Sequence, residues 1–182
     1  MKIFKITVCL FLFTMAAPTF AEDSKDPQLT FNPRDDYTFG VGTQIGGSLG
    51  IMGLTADFNW YSLINAGIGL GSGIYFDTYV AQAKYLALDQ PFTPYLGSGL
   101  AYWRSAASAG KIAQKSEQAI KLGMVKDDGT KLKNGIVILP LFIGAHYLSD
   151  SGLAIFAEFS FLLSLSNVKA VPSGGLGAGW YF

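Results

Sequence analysis

Hydrophobic and polar positions alternate with a period of two over most of the chain after residue 36. From 37 to 47 most odd positions carry apolar side chains, whereas the even positions carry glycine or polar side chains. The pattern recurs with reversed parity from 51 to 61 and from 65 to 76. Such alternation is typical of β-strands with one apolar face. Each run lasts about ten residues, the length that a tilted strand needs to cross a membrane.

Eight runs of this kind predict eight strands. They cover 37–48, 51–61, 65–76, 78–88, 93–104, 135–148, 153–165 and 171–182. The run 135–148 is apolar on both sides and has the weakest pattern. An even number of antiparallel strands is typical of single-chain bacterial barrels, and only a closed barrel satisfies the backbone of strands in lipid. The sequence therefore predicts an all-β fold, an eight-stranded antiparallel transmembrane up-and-down β-barrel over 37–182.

The connections between the predicted strands agree with this topology. With the amino end on the periplasmic side, the connections at 62–64, 89–92 and 149–152 lie on that side and are short. The one long connection, 105–134, lies on the outer side, where outer-membrane barrels place their long loops. The alternative is a soluble β-sandwich or lipocalin-like barrel, which would turn the apolar face inward and leave the glycine-rich face in water.

Residues 1–21 have the pattern of a secretory signal peptide. Lys2 and Lys5 precede an apolar run that is shorter than the roughly 20 residues of a membrane-spanning helix. Cleavage would remove the single cysteine and leave 11 basic against 13 acidic residues, a balance that argues against a general nucleic-acid binder. Residues 22–36 contain five acidic residues and are expected to form a flexible periplasmic lead-in.

Aromatic residues fall at the ends of the predicted lipid-facing rows, where amphipathic rings prefer to lie. The expected inner girdle consists of Tyr37, Phe39, Trp60, Tyr85, Phe92, Tyr147, Trp180 and Phe182, and the expected outer rim of Phe76, Tyr79 and Tyr102. The final run places Trp180 and Phe182 on its lipid face. This terminus resembles the signature by which the barrel-assembly machinery recognises its substrates, so Trp180 and Phe182 are the predicted assembly signal.

Three segments resemble the small outer-membrane β-barrel superfamily that includes OmpA-, OmpX- and OmpW-type proteins. They are Pro94–Trp103, Ala157–Phe161 and the terminal GLGAGWYF of 175–182. The resemblance covers most of 37–182 and implies the outer membrane of a Gram-negative bacterium, with outer-membrane lipid and lipopolysaccharide as surroundings and partners. It specifies the barrel and no particular biochemical role.

Charged residues well inside the predicted strands all fall on the inward face. They are Asp57, Lys84 and Glu158. A lysine on the lipid face at mid-bilayer would cost about 2–4 kcal/mol, so inward placement is physically required. We predict a polar lumen network that also includes Gln44, Asn59, Gln82 and His146. Two interpretations stay open: a network that holds the strands in register, or a path for ions or protons.

Fourteen glycines also fall on the predicted inward face. They either allow a narrow barrel to coil tightly while aromatic side chains fill the lumen, or leave a crevice for a lipid tail or small apolar ligand. The expected filling residues are Tyr61, Tyr75, Trp103, Phe142 and Phe156. Pro140 cannot donate a ladder hydrogen bond, which suggests a weak seam in the run 135–148.

The long outer connection is rich in lysine. Its basic residues are Lys111, Lys115, Lys121, Lys126, Lys131 and Lys133. Residues 106–122 are expected either to form a short amphipathic helix that lies on lipopolysaccharide phosphates or to remain a solvated loop. Glu117 and Lys121 would form a favourable i,i+4 pair on such a helix.

One cluster of residues raises the question of catalysis. His146 is the only histidine, and Ser149 and Glu158 follow it, a set that resembles the Ser/His/acid site of enzymes that modify lipid A. The spacing between His146 and Ser149 places their side chains on opposite faces of an extended strand, whereas a nucleophile and its base must meet. No metal-ligand cluster, phosphate loop or nucleotide motif is present, so no enzyme activity, metal or cofactor is expected.

The sequence therefore predicts a structural or surface-interacting outer-membrane barrel with a largely filled lumen. A narrow channel or a carrier for small or apolar ligands is the alternative, and an enzyme that modifies lipid A comes last.

Overall fold

The computed structural model describes residues 32–106, 108, 117–125, 133–166 and 169–182. All eight predicted strands are present, including the run 135–148. They are β1 (Phe39–Gly46), β2 (Met52–Trp60), β3 (Ile64–Ser72), β4 (Phe76–Leu86), β5 (Phe92–Ser105), β6 (Gly135–Leu148), β7 (Leu153–Ser164) and β8 (Lys169–Tyr181). Each strand pairs with the next, and β1 pairs with β8, so that the sheet closes into a barrel. The predicted fold is confirmed.

Three short helical segments accompany the strands in the described part of the chain. They are α1 (Pro33–Asp36), a 3-10 turn (Gly47–Leu49) and α2 (Glu117–Lys121). None of them is long and apolar enough to cross a membrane.

The wall of the barrel is apolar on the outside and mixed on the inside. Along β4 every second residue is buried, and the large side chains between them, Tyr79 and Tyr85, remain exposed on the outer face. Exposed isoleucine, leucine and aromatic side chains continue around the other strands. A soluble protein would bury this face, so the arrangement rules out the soluble alternative and fits a barrel whose outer solvent is lipid.

The connection between β1 and β2 folds into the barrel instead of extending outward. Gly46, Gly47 and Gly50 have φ angles of 79°, 68° and 85°, values that favour glycine and turn the chain inward. The 3-10 turn that results is buried, and Leu49 is only 1 % exposed. Strand β1 therefore ends at Gly46, whereas the alternation predicted a strand to residue 48.

Three aromatic predictions were wrong. Tyr37, expected in the lipid-facing inner girdle, is half-buried and packs against a buried cluster that contains Tyr181. Phe76, expected at the lipid-facing outer rim, points into the barrel and stacks on Trp103 with ring centroids 4.3 Å apart. The turn between Ser72 and Phe76 resets the alternation, so the pattern of β3 does not carry into β4. Tyr61, expected inside, lies in the β2–β3 turn at a φ of 60° and is 76 % exposed.

Inward glycines lie opposite the large side chains that fill the lumen. A Cβ atom on Gly69 would lie 2.8 Å from Leu49 Cδ2, and one on Gly40 would lie 2.7 Å from Tyr181 Cδ2. Gly97 and Gly177 face Phe142 and Phe156 in the same way. The glycines have no side chain, and the space that this leaves in the lumen is occupied by the side chains opposite them. This packing favours the filled-lumen interpretation over a ligand crevice.

The ladder between β5 and β6 has one interruption. Pairing runs from Phe92 and Tyr147 to Ser98 and Leu141, and resumes where Ala101 faces Ile138. The gap lies opposite Pro140, which has no N–H to donate. On its other side Pro140 stays in register with Leu162 of β7.

Leu49→Ala should lower the free energy of unfolding by about 2–5 kcal/mol, because it empties a fully enclosed site at the outer end of the lumen. The measurement is urea-induced unfolding of the refolded barrel in lipid vesicles, followed by tryptophan fluorescence. Leu96→Ala is the matched control, since Leu96 faces outward and is 55 % exposed. An equal loss in both variants would contradict the interior role of Leu49.

Candidate functional site

All seven side chains of the predicted lumen network lie buried inside the barrel. They are Gln44, Asp57, Asn59, Gln82, Lys84, His146 and Glu158. They belong to β1, β2, β4, β6 and β7, and each occupies an inward position of its strand. The structure joins six of them into separate groups along the barrel axis, while Gln82 is buried on β4 two residues from Lys84.

Glu158 organises the group nearest the outer end. Gln44 Nε2 donates to Glu158 Oε1 at 2.8 Å, and the Tyr95 hydroxyl donates to Oε2 at 3.1 Å. Gly175 makes room for this contact, because a Cβ there would lie 2.8 Å from Gln44 Nε2. Three strands are thereby tied together across the lumen.

Lys84 and Asp57 form the central group. Lys84 Nζ lies 3.8 Å from Asp57 Oδ1 and 4.7 Å from the centre of the Phe156 ring, which adds a cation–π contact. Thr55 and Asp57 line a small cavity beside Lys84 and His146, whose volume of about 10 Å³ suits about one water molecule. The centre of the lumen is therefore almost completely filled by the residues that the structure describes.

Arg34 closes the periplasmic end. Asn32 caps α1 by accepting a hydrogen bond from the Arg34 backbone N–H at 3.1 Å. The buried guanidinium donates to the carbonyl oxygens of Gln90 and of Pro91, the latter at 3.2 Å, and lies 2.7 Å from His146 Nδ1. Burial lowers the pKa of Arg34, while the charge of the nearby Asp89 carboxylate acts in the opposite direction.

The described end of the predicted flexible lead-in is therefore ordered. Residues 22–31 lie outside the described residues, but Pro33–Asp36 form a helix whose Pro33 and Arg34 are buried against the barrel. Asn32 also donates to the Asp89 side chain in the β4–β5 turn. These contacts hold the segment at the mouth of the barrel.

A second polar group lies at the same end. Asn59 Nδ2 donates to the Tyr37 carbonyl at 2.8 Å, and Asn65 Nδ2 donates to Asn59 Oδ1 at 2.9 Å. Asn65 is also 3.3 Å from the Tyr181 hydroxyl. Tyr181 in turn packs against the edge of the His146 ring, so this group adjoins the one around Arg34.

The long outer connection closes the other end of the lumen. Ala119 of α2 and the following Leu122, Met124 and Val125 are buried in one apolar cluster with Trp103. The Trp103 indole N–H also donates to the Ser48 carbonyl at 3.1 Å, joining the 3-10 turn to this cluster. Helix α2 thus packs onto the barrel end with its apolar residues.

Two of the six predicted lysines of this connection can be located. Lys121 Nζ lies 2.5 Å from Glu117 Oε1 as the expected i,i+4 pair, and its hydrogen bond lowers the pKa of Glu117. Lys133 donates to the Ser166 hydroxyl at 3.3 Å. Lys111, Lys115, Lys126 and Lys131 lie outside the described residues.

His146 and Ser149 are not brought together. His146 is buried against Arg34, whereas the Ser149 hydroxyl is exposed, lies 3.0 Å from the Ser151 hydroxyl and accepts from the Leu153 N–H. No Ser–His pair forms at this position.

Trp180 and Phe182 both face outward at the periplasmic end of the wall, 46 % and 64 % exposed. The Phe182 backbone continues the pairing with β1, since its N–H donates to the Phe39 carbonyl at 2.7 Å. Tyr181 between them points into the lumen.

Several lumen residues were missed at the sequence level. Asn65, Tyr95 and Tyr181 lie at inward positions of their strands, so the period of two was a usable signal for them. Arg34 precedes the first strand, and the strand pattern offers no signal for it.

Lys84→Met should lower the free energy of unfolding by about 3–5 kcal/mol, because it leaves Asp57 buried without its partner. Adding Asp57→Asn to Lys84→Met should recover part of this loss, because both charges are then gone. Urea unfolding in vesicles measures both effects. Lys169→Met, at the exposed outer end of β8, is the control. Additive losses in the double variant would contradict the pairing.

Comparisons with known proteins connect this geometry to solved structures. No protein-family model matches the sequence, and no curated protein matches it. The N-terminal β-barrel domain of Pseudomonas aeruginosa OprF superposes with a TM-score of 0.55 at 14 % identity, covering 79 % of this chain and 97 % of that domain.

Two further barrels superpose less closely. Neisserial surface protein A gives a TM-score of 0.46 at 19 % identity, covering 78 % of this chain and 94 % of its own. Yersinia pestis Ail in a nanodisc gives a TM-score of 0.44 at 13 % identity, covering 80 % of this chain and 99 % of its own. The closed eight-stranded sheet, its apolar outer wall and the likeness to the OprF barrel lead to one conclusion. This chain has the fold of the small eight-stranded outer-membrane β-barrels.

Proposed function

We propose that this protein is a non-conducting outer-membrane barrel with a structural or surface-interacting role. The observation that carries the proposal is the filled lumen. Leu49 and Trp103 occupy its outer end, Lys84 and Phe156 its centre, and Arg34 its periplasmic mouth. An aqueous path would have to displace each of these layers.

The charges in the lumen support a structural role for the polar groups. The buried charged residues that the structure describes are two cations, Arg34 and Lys84, and two acids, Asp57 and Glu158. Each has a partner that either opposes its charge or accepts or donates a hydrogen bond. A balanced and paired set is suited to fixing the positions of strands, because a transported ion would meet no excess of the opposite charge.

A catalytic role has less support. The Ser149 hydroxyl is engaged with Ser151 and the Leu153 backbone, and His146 is held by Arg34. A nucleophile would need a base within hydrogen-bond reach. We therefore propose a non-enzymatic protein whose interactions involve the outer wall and the outer surface.

The refolded protein should show no steady single-channel conductance in a planar bilayer. Among the described residues the cavity at the centre of the lumen measures only about 10 Å³, which supports the expectation that water finds no continuous path through the barrel. Folding is verified first by the shift in electrophoretic mobility between boiled and unboiled samples. A steady conductance that Lys84→Ala alters and Lys169→Ala does not would instead favour the narrow-channel alternative.

We also propose that Trp180 and Phe182 contact the barrel-assembly machinery. Both rings are exposed on the outer face of the closing strand region, where a partner reaches them before the barrel enters lipid. Interior packing does not depend on either ring, since Tyr181 alone of the three points inward.

Phe182→Ala should reduce the amount of assembled barrel in cells severalfold while leaving refolding of the purified protein in vesicles nearly unchanged. Immunoblots of outer-membrane fractions measure the first effect and gel mobility measures the second. Trp60→Ala is the control, since Trp60 is a similarly exposed aromatic residue on β2. An equal loss for Trp60→Ala would assign the effect to general membrane anchoring.

A further inference from the structure

The outer wall has a depression on one side, across β2 to β5. Residues Ala56, Ile68, Ala81 and Leu100 lie side by side in successive strands. The two alanines leave a space of about 530 Å³, which we call the wall trough, with an almost wholly apolar lining. One row nearer the outer end, Leu70, Tyr79 and Tyr102 form its upper edge.

A second depression adjoins the wall trough. It has a volume of about 470 Å³, crosses β1 to β3, and shares Leu54 and Leu70 with the wall trough as the ridge between them. Ile45 and Met52 lie on its far side. The second depression lies in the outer half of the wall, whereas the wall trough extends from the middle of the wall, at Ala56 and Ile68, to its outer half, at Tyr79 and Tyr102. Two parallel apolar grooves suit a lipid with several acyl chains.

A cation lies directly above the wall trough. Arg104 occupies the row beyond Tyr102 on the same outward face of β5 and is exposed. Its cross-strand neighbours are Asp77 and Gly135, and Arg104 forms no ion pair with any residue that the structure describes. Tyrosines at the membrane interface with an arginine beyond them place that guanidinium at the level of lipid headgroups. Its planar fork favours phosphate.

We propose that the wall trough, the adjoining depression and Arg104 form a site for one lipopolysaccharide molecule of the outer leaflet. Acyl chains lie in the two depressions, and a phosphate of the acylated glucosamine headgroup lies on the Arg104 guanidinium. The two apolar depressions lie nearer the middle of the membrane than Arg104 does. Such a lipid has the same order, with its acyl chains nearer the middle of the membrane than its phosphates. This inference goes beyond the proposed function and does not depend on whether the lumen conducts.

The test uses the refolded protein in detergent micelles that contain a defined amount of rough-type lipopolysaccharide. Native mass spectrometry gives the fraction of barrels that carry one lipid molecule. Arg104→Gln should weaken retention about tenfold, because a charged hydrogen bond is lost, and Arg104→Lys should restore part of it. Ala81→Trp should also weaken retention about tenfold by filling the wall trough, with Ala81→Phe as the second variant if Ala81→Trp does not fold.

Matched controls lie outside both depressions. Lys169→Gln removes a cation at the outer end of β8, and Ala157→Trp adds a ring to the lipid face of β7, and both should retain lipopolysaccharide within about twofold of the unaltered protein. Dephosphorylated lipopolysaccharide should bind more weakly, and the unaltered protein and the Arg104→Gln variant should retain it equally. The proposal is overturned if Arg104→Gln has no effect on retention of the phosphorylated lipid, if Lys169→Gln has the same effect, or if phosphatidylethanolamine is retained equally well.

Discussion

The requirement that every backbone polar group find a partner within the wall governs this structure. Lipid offers no hydrogen bonds, so an open sheet edge in the membrane would be costly. Pairing of β1 with β8, from Gly40 opposite Tyr181 to Gly46 opposite Gly175, removes both edges. The ladder is interrupted only opposite Pro140 of β6 among the strand pairs that the structure describes, and there the missing donor is a property of proline itself.

A closed barrel of eight strands has a narrow interior. Large inward side chains fit into it because inward positions on neighbouring strands are occupied by glycine. Leu49 occupies the volume left by Gly53 and Gly69, and Phe142 occupies that left by Gly97. The same exchange makes room for polar contacts, since Gly67 lies against the Asp57 carboxylate. A buried polar group without a partner carries a desolvation cost of about 1–3 kcal/mol, which favours pairing of the polar groups in such an interior. Narrowness therefore accounts for the glycines, for the hydrogen bonds around Glu158 and for the ion pair between Asp57 and Lys84.

The alternating pattern predicts the features that recur along every strand. It fails in the turns and helices between the strands, where the alternation stops. The period of two located all eight strands and the inward position of Lys84 and Glu158, because lipid on one side imposes a strict alternation. The pattern placed Phe76 on the wrong face of the wall. The turn after Ser72 changes whether odd or even positions face outward, and the composition of the segment gives no sign of that change. The inward fold of Gly47–Leu49 and the insertion of Arg34 depend on contacts with distant strands, which a local pattern does not contain.

The space beside small residues is occupied differently on the inner and outer faces of the wall. This difference indicates which face is available for interaction. Inside, most glycines face a side chain of the same molecule, so that little space remains. Outside, the space above Ala56 and Ala81 forms an open depression between neighbouring apolar side chains of the described strands. The space beside a small residue on the inner face is filled by other side chains when the protein folds. The space beside a small residue on the outer face is filled only by lipid. Arg104 and Tyr102 lie at the outer end of that open surface, so that the lipid site proposed above would need no change in the barrel itself.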